Sequence, residues 1–131
     1  MPPLLTQTWD DIRERYQSVD KKAPWAIEML ELVDHITGSP VGQGLYPWTS
    51  MFDLIISQTP NPDGDAYPLP HLRISPLQSG KIEFRYVDTP DRQRQWVREV
   101  EANHAKERFD TFVDQLGWLI RTQRFEDRLK Q

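Results

Sequence analysis

The hydrophobic period of this chain changes twice, and each change marks a boundary between kinds of secondary structure. Up to about residue 37 the apolar residues recur every three or four positions. From Phe52 to Val87 they alternate, and from Phe109 onward the three-and-four spacing returns. A helix brings residues three and four apart onto one face, whereas a strand brings together every second residue. The pattern therefore predicts helices on either side of a sheet.

The first helical stripe is Leu5, Trp9, Ile12, Tyr16 and Val19, with Thr8 placed as its cap and Asp11 three residues on in a capping-box arrangement. A second helix opens at Pro24, whose fixed φ suits a first helical position, and carries Trp25, Met29, Leu30, Leu32, Val33 and Ile36. Gly38 closes it and Pro40 prevents its resumption. Residues 38–48, with three glycines and two prolines, read as a loop. The alternating region begins with Phe52, Leu54 and Ile56 on one face, and Leu54-Ile55-Ile56 reads as a central strand. A proline-rich connection leads to a strand with Leu72 and Ile74 set against His71, Arg73 and Ser75. After a Ser79-Gly80 turn, Ile82, Phe84 and Tyr86 are set against Glu83, Arg85 and Val87.

Residues 91–120 could be drawn as one long helix, but geometry opposes this. Phe109, Phe112, Val113, Leu116 and Ile120 form one stripe, and Val100, nine positions before Phe109, would lie half a turn away from it. A hairpin avoids apolar residues on opposite sides of one helix. Thr89-Pro90-Asp91 then makes the turn, and residues 94–100 return as a strand with Trp96 and Val100 on one side and Val97 on the other. Asn103 caps a helix from about His104. The expected fold is a single α+β domain, 1–131, in the order α-α-β-β-β-β-α. It has two N-terminal helices, a four-stranded antiparallel meander sheet and a C-terminal helix packed on one face of that sheet. Leu30, Val33, Leu54, Ile56, Phe84, Phe112 and Leu116 should form the buried centre. The other face of the sheet, led by Arg73, Glu83 and Arg85, is expected to meet water.

Several chemistries are excluded by composition. There is no cysteine, so disulfides, thiolate metal sites and cysteine nucleophiles are ruled out. A net charge of −4 argues against a nucleic-acid partner. No apolar run approaches the ~18 residues of a membrane span, so no membrane partner is expected. The start, Met1-Pro2-Pro3-Leu4-Leu5, lacks the basic and apolar regions of a secretory leader, and a cytoplasmic location is the expectation. Charge is uneven: residues 1–70 hold four Lys/Arg against ten Asp/Glu, and residues 71–131 hold twelve against ten.

The motifs that could carry chemistry fail on spacing. Gly38, Gly42 and Gly44 do not make a phosphate loop, because a helix precedes them, a strand follows and no lysine closes the run. With Gly64 at the sixth position of a calcium loop, the first and twelfth ligands would fall on Thr59 and Pro70. Glu31 and His35 have metal-ligand spacing on one helix, but no second helix offers a matching pair, and they read as a solvated face. No metal or cofactor is expected. There is no G-x-S-x-G, and Ser50 enters a strand rather than leaving one.

Two surfaces remain. Tyr46 and Trp48 in the aromatic loop, with His71, Arg73 and Arg85 on the sheet face, are the candidate ligand-binding residues, suited to an acidic ligand. Trp118, Phe125 and Leu129, spaced seven and four apart and flanked by Arg121, would form a second apolar stripe if the last helix continues past Arg121. That stripe would be a partner interface, with the chain binding another protein or itself as a homodimer. Otherwise residues 122–131 are a frayed tail. The reading is a small, acidic, non-catalytic protein-binding domain of adaptor, regulatory or inhibitor type. The competing reading is a small-molecule binder, or an enzyme with a dispersed site around Tyr46, Trp48, His71, Arg73 and Arg85. A concave pocket of about 300 Å³ or more containing those groups would favour the second.

Overall fold

The computed structural model of the protein describes residues 7–19, 22–23, 25–59 and 69–118. Helices α1 (Trp9–Gln17) and α2 (Ala26–Thr37) lead into strands β1 (Tyr46–Ser50), β2 (Asp53–Ser57), β3 (His71–Pro76), β4 (Lys81–Val87) and β5 (Trp96–Glu101), and helix α3 (Ala105–Leu116) follows. Thr8 caps α1 as its sequence predicts. Its hydroxyl accepts from the Asp11 amide, and the Asp11 carboxylate accepts from the Thr8 amide, both at 3.1 Å. The α2 helix ends at Gly38, and Pro40 opens a short 3₁₀ turn, Pro40–Gly44. Gly42 packs so closely on α2 that a Cβ there would lie 2.1 Å from the Ile36 carbonyl oxygen.

The sheet is a five-stranded antiparallel meander in the order β1-β2-β3-β4-β5, one strand more than the sequence predicts. The added strand is β1, taken from residues read as loop. Pro47 disguises it, because a proline is compatible with a strand only where its missing N–H faces away from the sheet, as it does on this edge. The turn that follows, Met51-Phe52, carries no glycine signal although Met51 holds φ 55°. Phe52 therefore leaves the strand face on which alternation placed it and is 40% exposed in the turn.

The hairpin reading of residues 94–100 holds, with the strand at Trp96–Glu101 and a 3₁₀ turn at Arg92–Arg94 before it. Trp96 is half-buried and Val100 buried on one face, while Val97 is exposed on the other. A second 3₁₀ turn, Ala102–His104, precedes α3. His104 occupies its N-cap without a side-chain bond, so Asn103 is not the cap.

The helices cover one face of the sheet. Ile12 and Tyr16 of α1, Met29, Leu32, Val33 and Ile36 of α2, and Phe109, Phe112 and Val113 of α3 pack on Leu54, Ile56, Leu72, Ile74, Ile82 and Phe84. Burying such side chains contributes on the order of 1.5–3 kcal/mol each before entropy is counted. Leu30 and Leu116, expected at the centre, are only half-buried at its margins. A hydrogen bond and an ion pair tie α2 to α3: His35 Nε2 lies 2.8 Å from Asp110 Oδ1, and Lys106 Nζ lies 3.5 Å from Glu31 Oε2. Glu31 and His35, the pair with metal spacing, are thus both engaged by α3.

The second apolar stripe does not form as expected at Trp118. The α3 helix stops at Leu116, Gly117 takes the left-handed conformation at φ 78°, and Trp118 is 3% exposed within the core. A left-handed glycine after a helix satisfies its last carbonyls and redirects the chain, so the seven-residue spacing from Trp118 no longer measures a position on α3. Arg121, Phe125 and Leu129 lie outside the described residues, as does the tail 122–131. Among the described residues no helix is long and apolar enough to cross a membrane.

Candidate functional site

Antiparallel registry stacks the outer face of the sheet, the one away from the helices, into cross-strand rows. One row is Tyr46, Ser57, His71 and Val87, and the next is Trp48, Ile55, Arg73, Arg85 and Val97. All five candidate ligand-binding residues therefore share this face. The sequence predicts that this face meets water, but only part of it does. Trp48, Ile55, Ser57 and His71 are all buried, so the part of the face nearer β1 is closed to solvent.

Beyond that apolar half the face opens into a groove of about 430 Å³, lined by charged groups of β2, β3 and β4 and by the β4–β5 connection. His71, Arg73 and Arg85 line it, together with Asp53, Glu83 and Gln95. Tyr46 and Trp48 do not line it, so the aromatic loop and the charged face are neighbours on one surface and not parts of one pocket.

Arg73 and Arg85 are directly opposed across β3 and β4. Two like charges in that position repel, and each is offset by its own carboxylate. Arg73 Nε donates to Asp53 Oδ2 at 2.8 Å. Arg85 Nη2 lies 3.4 Å from Glu83 Oε1, and its Nη1 donates to Gln95 Oε1 at 3.2 Å. The Gln95 amide in turn donates to the Thr89 carbonyl at 2.9 Å, which fixes its orientation and braces Arg85 from the connection. The Arg85 side chain is only 14% exposed, while Arg73 keeps 33%. A guanidinium has five N–H donors. Among the described residues nothing accepts from the two Nη groups of Arg73. With Arg92 also on the lining, the groove holds three guanidiniums against two carboxylates.

Asp53 could have been found by alternation, which puts it on the face of Ser57 and Ile55. Gln95 and Arg92 could not, since they arrive through an irregular connection whose path has no period. Among the described residues no cluster of three or more His, Asp or Glu could hold a metal ion. Compared with protein-family models, curated proteins and solved structures, the chain matches none.

Proposed function

We propose that this chain is a non-catalytic binding domain that docks on another protein through the outer face of its sheet, receiving an acidic side chain over Arg73 and Arg85. The observation that carries this reading is the opposed guanidinium pair at the floor of the groove. Each member is anchored by one carboxylate, and Arg73 keeps its Nη donors directed to no described residue. Planar guanidiniums held in place accept carboxylates through paired N–H donors, with little ordering left to do on binding. The groove is large enough for a small-molecule site, but two facts favour a protein carboxylate. It is open along the sheet, and the aromatic pair that would enclose a small ligand stands outside it.

Isothermal titration with acetyl-tetraglutamate amide tests this, comparing the intact chain with Arg73→Gln and Arg85→Gln at two salt concentrations. Saturable binding that weakens ~10-fold or more in each variant is expected, because losing a charge-assisted contact is worth about 1.5–3 kcal/mol. Binding should also weaken as salt rises. Equal binding by all three proteins would remove the groove from the account.

A further inference from the structure

The two edges of the sheet are treated differently. Along β1 each outward-facing donor is disposed of. The Leu45 amide, just before the strand, donates to the Gly42 carbonyl at 3.3 Å, Pro47 has no N–H, and the Thr49 amide donates to Gln7 Oε1 at 2.6 Å. An open strand edge is a template for another strand, and this one has no outward N–H left to offer. The opposite edge can be read from the same registry. Since Thr49 faces outward, alternation through the four ladders turns the backbone groups of Val97, Glu99 and Glu101 outward from β5. Among the described residues nothing pairs with those of Val97 and Glu99 or with the Glu101 N–H, while the Glu101 carbonyl caps the 3₁₀ turn Ala102–His104.

A groove of about 460 Å³ follows this edge, with α3 as its far wall. On the helix side its charges are Arg98 and Arg108, with Trp96 and Phe112 as the apolar floor. Arg98 lies over the Trp96 ring at 5.5 Å, and among the described residues neither Arg98 nor Arg108 has a carboxylate partner. On the outer side Glu99 has no cationic partner among them, and Glu101 reaches Lys81 only at 3.8 Å. We infer that β5 takes a sixth strand: an extended segment of a partner protein whose acidic or apolar side chains face α3 and whose basic side chains face outward.

A second copy of this chain fits less well. Antiparallel self-pairing about the middle of β5 sets Arg98 opposite Arg98 or Glu99 opposite Glu99, like charges at the two-fold axis. A two-fold at Val97 avoids this but overlaps only residues 96–98. Strand addition instead draws affinity from main-chain hydrogen bonds and specificity from alternate side chains.

The probe is acetyl-Lys-Glu-Lys-Leu-Lys-Glu-Lys-amide, which presents the same alternation in either direction. Its control is acetyl-Lys-Lys-Glu-Leu-Glu-Lys-Lys-amide, of equal composition without alternation. The alternating peptide should bind the intact chain at least ~10-fold more tightly, 1.4 kcal/mol or more. Amide exchange at Val97, Glu99 and Glu101 should slow when it is bound. Glu99→Pro removes one outward donor while leaving the β4–β5 ladder its bonds, and should abolish binding with an unchanged far-ultraviolet spectrum. If that variant does not fold, the exchange data on the intact chain decide alone. Equal binding of the two peptides, unchanged exchange on β5, protection confined to the Arg73 groove, or self-association through β5 would each overturn the proposal. The groove and edge map to different amides, so either reading can fail without the other.

Discussion

Tyr16 links the first helix to the β1–β2 turn and sets how the fold meets alkali. Its hydroxyl donates to the Phe52 carbonyl at 2.6 Å, and the neighbouring Arg15 donates through Nε and Nη2 to the Met51 carbonyl at 2.8 and 2.6 Å. These bonds hold a turn in which Met51, a residue with a Cβ, takes positive φ at a cost of about 1–2 kcal/mol. Burial pushes the Tyr16 phenol well above its ordinary value of 10.0, and the Asp53 charge adds to this against a smaller opposing effect of Arg15. A raised pKa on a group that is neutral when protonated means the folded state retains the proton. The stabilisation is complete below about pH 10 and is lost as pH rises above it, at about 1.4 kcal/mol per pH unit for one proton. Tyr86 adds a second contribution of the same sign, from burial first and then from Asp88. Urea unfolding followed from pH 8 to 11 should show stability falling above pH 10, and Tyr16→Phe should flatten that fall without removing it. An equally steep fall in the variant would contradict the burial of Tyr16.

Among the elements, α3 shows how a helical stripe becomes energy. Phe112 meets Phe84 at 5.0 Å and Trp96 at 4.7 Å between ring centroids, both edge-on, and so joins α3 to β4 and β5. Phe112→Ala should cost about 3–5 kcal/mol, read as a lower urea midpoint at unchanged slope. Leu30→Ala should cost well under half as much, because that side chain is already half in water. A reversed order would misplace the core. Period made these elements legible: the α3 stripe, the alternation of β4 and the half-turn mismatch between Val100 and Phe109 each describe burial on one side. Where burial is not one-sided the pattern is silent. The β1 strand carries Pro47 at an edge and ends in a glycine-free turn, so nothing announced it. Trp118 kept the spacing of a stripe, yet one left-handed glycine changed the direction of the chain. On the outer face, His71, Arg73 and Arg85 were readable from alternation. Gln95, which braces Arg85, was not, since its position depends on the path of a connection.

For the molecule as a whole, the sheet is covered on the helix side and on the outer face nearer β1, and open over the charged part of the outer face and along β5. The uneven charge follows this division, with the surplus of basic residues in the half of the sequence that supplies β3, β4, β5 and α3. The central claim is that the outer face is where this protein meets its ligand. Nitrogen-15 spectra of the arginine Nε–H groups, recorded while acetyl-tetraglutamate amide is added, test it most directly. Saturable shifts of the Arg73 and Arg85 signals with one dissociation constant, and unmoved amides in α1 and α2, are the predicted result. Shifts centred on the helices, or no shift at Arg73 and Arg85 at millimolar peptide, would contradict it.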